Sequence, residues 1–201
     1  EKRMTDLSLK TPGRPDLTVI LLAGGKSRRM GRDKATLPFW EGTLLEWQIQ
    51  KLKQLCPGQI LISGRGYCLP GTKTIPDAFS DCGPLGGIYS CMQQAHGSIC
   101  LVLSVDTPLV PLPVLEKLYV MHLAGDAEIT VLRTKKDGIE PLIGIYNTGI
   151  AELLLQRIKA RNLSVKHLIS IVPTAFLDVD DFACFNCNRP EDYLQLRQRE
   201  C

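Results

Sequence analysis

The residues of this chain best suited to chemistry are those that can hold phosphate. Residues 22–34 read Leu22-Ala23-Gly24-Gly25-Lys26-Ser27-Arg28-Arg29-Met30-Gly31-Arg32-Asp33-Lys34 and directly follow the apolar run Leu17 to Leu22. Gly24 and Gly25 permit backbone conformations closed to other residues, so that successive N–H groups can converge on an anion. Ser27 adds a hydroxyl, while Lys26, Arg28, Arg29, Arg32 and Lys34 add positive charge. Neither the P-loop pattern nor the glycine fingerprint of dinucleotide-binding folds is present, so the cradle is of another kind. On composition alone, a solvated glycine turn is the competing reading.

Two carboxylates stand in comparable positions. Asp106 emerges from the apolar run Ile99 to Val105 and precedes Thr107 and Pro108, and Asp77 follows the short run Thr72 to Ile75. Asp106 reads as a magnesium ligand, because magnesium takes one or two carboxylates and fills its other positions with water and phosphate oxygens. The alternative is an N-cap or Asx turn before a helix that begins near Pro111.

The elements that must position these groups are short apolar runs alternating with amphipathic stretches. Leu17 to Leu22, Ile60 to Ser63 and Ile99 to Val105 read as strands, and Leu44 to Leu55 and Leu85 to Ala95 as helices, which is the rhythm of βαβ units around a mostly parallel sheet. In such a sheet ligands gather beyond the carboxyl ends of the strands, where the loop after Leu22, Asp77 and Asp106 all fall. Thr43 and Glu46 form a capping-box pattern, Pro84 suits the first turn of the second helix, and Pro111 and Pro113 the start of the third. Further strands are expected near 128–132, 142–146 and 175–179, with helices near 148–160, 164–170 and after Pro190. Residues 1–16, polar and interrupted by Pro12 and Pro15, read as a tail or linker, and 17–201 as one domain.

Composition narrows the function classes. A net charge of +3, without a basic stripe, gives no footprint for nucleic acid, and no apolar run approaches the length needed to span a bilayer. The 8 cysteines are not packed as in a disulfide scaffold, which implies reduced thiols and a cytoplasmic protein. Cys184 and Cys187 form a C-x-x-C pair that lacks a second pair or a nearby histidine to complete a zinc site. His96, His122 and His167 stand in no triad or metal spacing and read as ordinary surface or helix residues.

The stretch LAGGKSRRMGRDK resembles the opening signature of the molybdenum cofactor guanylyltransferases, which are MobA-like nucleotidyltransferases. The similarity continues in order through Asp77, residues 83–87 (GPLGG), residues 103–108 (LSVDTP), Glu140-Pro141 and residues 185–192 (FNCNRPED). It implies a three-layer α/β/α nucleotide-diphospho-sugar transferase fold, Rossmann-like, with a mixed, mostly parallel sheet. It also implies GTP and molybdopterin, already carrying molybdenum, as substrates, magnesium as cofactor, and transient contact with molybdenum-insertion proteins and target apoenzymes. By matching positions, Leu22, Ala23 and Gly24 would hold the guanine and ribose side of GTP, Lys34 its phosphates, Asp77 the nucleotide and Asp106 the magnesium. Asn186 and Asn188 match a closing asparagine motif on the pterin side. Two positions depart from the pattern: Arg189 replaces the usual threonine, and Ser63 stands where some members carry an asparagine that contacts the base. The rival readings are a cytidylyltransferase of the same fold, acting on molybdopterin or a sugar-alcohol phosphate, and a non-catalytic nucleotide- or pterin-binding module. Gly24-Gly25 favours guanine, since cytidine-using relatives more often show Ala-Ala-Gly there.

Overall fold

The computed structural model describes residues 13–24, 33–136, 138–187 and 190–197. In chain order it runs β1 (Arg14–Leu22), a small hairpin β2 (Pro38–Phe39) and β3 (Gly42–Thr43), α1 (Leu44–Lys53), β4 (Pro57–Ser63), β5 (Lys73–Ile75) and α2 (Gly83–Met92). It continues with β6 (Ile99–Ser104), α3 (Leu112–Leu123), β7 (Ile129–Thr134), β8 (Gly138–Asn147), α4 (Ala151–Lys159), α5 (Val165–Ile171), β9 (Thr174–Asp178) and α6 (Pro190–Arg197). A 7-stranded sheet in the order β5-β4-β1-β6-β8-β7-β9 forms the centre. β8 alone runs against its neighbours, and every other pairing in this sheet is parallel.

The central strands are largely apolar where they cross the core, because both of their faces are covered. Val19 and Leu21 of β1, with Leu101 and Leu103 of β6, pack against Leu44, Ile49 and Leu52 of α1 and Leu115 and Leu118 of α3. The alternate residues Ile20, Leu22, Cys100 and Val102 face Leu85 and Ile88 of α2, Leu154 of α4 and Leu168 of α5. This period of two divides the interior into two apolar layers around the sheet, giving the three-layer α/β/α architecture. Each fully buried leucine or isoleucine contributes roughly 1.5–3 kcal/mol by leaving water.

Local signals set the helix starts. Thr43 Oγ1 accepts from Glu46 N (3.2 Å) while Glu46 Oε2 accepts from Thr43 N (2.8 Å), completing the expected capping box of α1. Pro84 lies in the first turn of α2, Pro111 caps α3, and Pro113 lies within its first turn.

β1 begins at Arg14, three residues before the expected start at Leu17. Arg14 N donates to Cys56 O (2.8 Å), Arg14 NH1 to Leu55 O (2.6 Å), and its guanidinium lies 5.0 Å from the Tyr119 ring. Pro15 and Asp16 pass close to two glycines: a Cβ on Gly58 would sit 2.3 Å from Pro15 O, and one on Gly97 would sit 1.8 Å from Asp16 O. No described helix is long and apolar enough to cross a membrane.

Candidate active site

The register of the sheet brings the strand-end polar groups to one rim. Leu22 pairs with Ser63 of β4 on one side and with Ser104 of β6 on the other, so the chain leaving β1 emerges between both neighbouring strand ends. Ala23 N and Gly24 N donate to Ser63 O (3.2 and 2.8 Å), and Val105 N donates to Leu22 O (3.0 Å). A Cβ on Gly24 would lie 3.4 Å from Gly64 Cα and Ser63 O, in van der Waals contact with the end of β4. Ser63 Oγ reaches Asp77 Oδ1 at 3.2 Å. α2 passes so close behind that a Cβ on Gly87 would lie 2.3 Å from Ser63 Oγ.

On the β6 side, Lys34 Nζ stands 3.1 Å from Asp106 Oδ2, and the two side chains are 16% and 18% exposed. Ser104 Oγ donates to Asp106 Oδ1 at 2.5 Å, so both carboxylate oxygens are oriented. Asp33 caps the 3-10 turn Lys34–Thr36 by accepting from Ala35 N (3.0 Å), which fixes the base of the lysine. The Tyr67 hydroxyl approaches both Asp33 Oδ2 (2.7 Å) and Ala23 O (3.3 Å), linking the turn after β1 to the residue preceding Lys34. Burial, reinforced by the hydrogen bond to Asp33, raises the Tyr67 hydroxyl well above its ordinary range, so it stays a protonated donor. Asp106 O accepts from Cys187 N (2.7 Å), which seats the Asn186 loop against the same rim. Asn186 Nδ2 in turn donates to Cys184 O (3.1 Å), and burial pushes the Cys187 thiol up to about 11.

Asp106 is therefore not a helix cap: α3 begins after Pro111 with no side-chain cap, and the turn after β6 is closed by Thr107 N and Oγ1 on Ser104 O. A recessed ammonium and carboxylate beyond the carboxyl ends of parallel strands can bind and neutralise a polyphosphate. Residues 19–171 match the family described as the MobA-like NTP transferase domain. This chain belongs to that family.

Among other members, the chain is 32% identical to a probable molybdenum cofactor guanylyltransferase of Flavobacterium johnsoniae over 171 residues, spanning 85% of this chain and 89% of that one. Its fold is similar to that of molybdopterin-guanine dinucleotide biosynthesis protein A from Archaeoglobus fulgidus, with a TM-score of 0.76 at 23% identity over 90% of this chain and 97% of that one. A Mycobacterium tuberculosis protein solved as a complex with manganese shares the fold with a TM-score of 0.69 at 20% identity, covering 91% of this chain and 98% of that one.

Within this MobA-like domain, the structure brings together Leu22, Ala23, Gly24, Ser63 and Asp77 as one hydrogen-bonded group, and Lys34, Asp106 and the backbone beside Asn186 as another. Leu22 joins the two groups through its strand pairing and its bond with Val105. Gly25, Ser27, Arg29 and Asn188, all expected at the site, lie outside the described residues, as does Arg189. Sequence reasoning missed Tyr67 and Ser104 as side chains that bond to these groups and gave Asp33 no role. Asp33 carried a signal, since aspartate just before a short helical turn is a favoured cap. Tyr67 carried none, for its partners are 34 and 44 residues away in the chain.

Proposed function

We propose that this MobA-like protein is a molybdenum cofactor guanylyltransferase, transferring GMP from GTP to the terminal phosphate of molybdopterin with release of pyrophosphate. The observation that carries this reading is the Lys34–Asp106 pair, 3.1 Å apart and recessed just beyond the end of β6. The similarity to a probable guanylyltransferase across 89% of that relative's length supports the choice of substrates.

In the reaction, an oxygen of the acceptor phosphate attacks the α-phosphorus of GTP in line. A phosphoanhydride bond forms, the bond from the α-phosphorus to the bridging oxygen of the β-phosphate breaks, and that oxygen leaves with pyrophosphate. The acceptor oxygen is already anionic near neutral pH, so the step needs no general base. His122 is accordingly occupied elsewhere, with its ring nitrogens 2.8 Å from Thr130 Oγ1 and 2.9 Å from Asn147 Oδ1.

The backbone of Leu22, Ala23 and Gly24, with Ser63 and Asp77, holds the nucleoside side, and Gly25, Ser27 and Arg29 extend the clamp toward the phosphates. Lys34 offsets charge on the leaving pyrophosphate, and Asn186 and Asn188 orient the pterin. Among the described residues no cluster of three His, Cys, Asp or Glu side chains is placed to hold a metal. Asp106 nevertheless fits magnesium, which accepts a single carboxylate when water and phosphate oxygens supply the rest. When bound there, the ion supplies positive charge to the phosphates of GTP. Buried free thiols at Cys82, Cys91, Cys100, Cys184 and Cys187 suit a reducing cytoplasm.

The test is pyrophosphate release from GTP, CTP, ATP or UTP in the presence of magnesium and molybdopterin, with the product identified by mass. GTP is expected to exceed CTP by at least about tenfold, a difference of about 1.4 kcal/mol in transition-state binding. A preference for CTP overturns the guanylyl assignment in favour of a cytidylyltransferase. Nucleotide binding without pyrophosphate release identifies a binding module.

A further inference from the structure

Three polar side chains of α1 end on backbone carbonyls of the segment that carries Asp106. Gln48, fully buried, donates from Nε2 to Ser104 O at 3.2 Å. Trp47 Nε1 lies 3.4 Å from Pro108 O. Lys51, only 8% exposed, donates from Nζ to Pro108 O and to Val110 O, each at 3.0 Å. These donors meet a chain that has little means of bonding to itself. Pro108 and Pro111 lack an N–H, and Val110 N reaches Thr107 O only at 3.5 Å.

An amine is a costly way to fill space at this position. Burial lowers the Lys51 ammonium to about 7, whereas leucine or methionine would pack there without that cost. Gln48 carries a further cost, since its Oε1 has no hydrogen-bond partner among the described residues. What both side chains gain is contact with the two ends of one short segment. Gln48 holds Ser104, whose hydroxyl orients Asp106 Oδ1 at 2.5 Å, and Lys51 holds the residues just past Asp106.

We propose that Lys51 is a positioning residue for nucleotidyl transfer: with Gln48 and Trp47 it clamps residues 104–110 by their carbonyls and so keeps Asp106 opposite Lys34. This rests on the reading of Asp106 as the carboxylate that acts in transfer. The Lys51 ammonium bonds to Pro108 O and Val110 O, beyond Asp106 in the chain, so its loss should displace the carboxylate without weakening the hold on the nucleoside.

Lys51→Met keeps most of the stem and removes the donors. It is expected to lower kcat about tenfold while KM for GTP stays within about twofold, the pattern of a misplaced group acting in the transition state. In the protein without ligand, amides of residues 105–110 are expected to exchange faster with deuterium while those of β4 keep their rate. Lys51→Arg, which restores N–H donors, should recover a large part of the lost turnover. If Lys51→Met does not fold, Gln48→Leu reads the same segment, with the same expected fall in kcat and faster exchange at 105–110.

The clamp is overturned by a folded Lys51→Met with wild-type kcat, by unchanged exchange at 105–110, or by a loss confined to KM. When Lys51→Met does not fold, wild-type kcat in folded Gln48→Leu overturns it equally. Asp106→Asn, assayed alongside, separates the two levels of inference. If Asp106→Asn is fully active, the carboxylate's assigned role fails; if it is inactive while Lys51→Met is fully active, only the clamp fails.

Discussion

Asp106→Ala is expected to lower GMP transfer by about a hundredfold or more, the usual consequence of removing one preorganised charge-stabilising group. The fold should survive, because the side chain supports none of the core. Among the described residues its oxygens bond to Lys34 Nζ and Ser104 Oγ, and the bond from Cys187 N goes to the backbone carbonyl, which alanine retains. The substitution removes one counter-charge from a recessed ammonium, and the phosphates of GTP can take that role. GTP affinity is therefore expected to hold while turnover falls. Pyrophosphate release and calorimetric titration with GTP measure the two quantities separately. Full activity in a folded Asp106→Ala protein would remove the carboxylate from the reaction.

Lys34→Ala should behave differently, losing GTP affinity and turnover together. A lysine that meets phosphate acts in the ground state as well as in the transition state, so kcat/KM is expected to fall on the order of a hundredfold, shared between its two components. The 3-10 turn remains capped by Asp33, whose bonds to Ala35 N and Tyr67 do not involve the lysine side chain. Initial rates across a range of GTP concentrations decide the matter: a curve superimposable on that of the wild type would place Lys34 outside the phosphate site. Contrasting outcomes in the two variants, kcat alone for Asp106 and both constants for Lys34, would assign different work to the two halves of one ion pair.

Much of this arrangement is legible in the sequence because it follows from local rules. β1 and β6 read as mostly apolar runs since both of their faces are buried, and the rule that ligands gather past strand ends then selects Gly24, Asp77 and Asp106. The capping box shows where α1 begins. Features that escaped are those decided by distant partners. The start of β1 is hidden by Pro15 and Asp16, whose backbone is accommodated by Gly58 and Gly97 far along the chain. β2 and β3 are two residues each, too short for a period, and Trp40 in their turn takes φ +50, a conformation that sequence reasoning would give to glycine. β8 spans Gly138–Asn147, beyond the expected 142–146, because it absorbs an irregularity: Val131 pairs with Gly144 but Leu132 with Glu140. Pro141, which has no N–H to give a ladder, lies in that irregularity, and its carbonyl accepts from the Tyr146 hydroxyl. Lys51 escaped as well, since a lysine in the last turn of an amphipathic helix ordinarily faces water.

The chain contains 2 tryptophans, and their rings meet tilted at 37° with centroids 4.5 Å apart, Trp40 being 58% exposed. Trp47 also touches the carbonyl of Pro108, two residues beyond Asp106. The protein thus carries an intrinsic optical reporter in contact with the segment that turnover must keep in place. Its ultraviolet emission should change in intensity or wavelength when GTP settles into the cleft, so occupancy can be followed in unlabelled protein, whereas a silent spectrum at saturating GTP would mean that the segment does not stir.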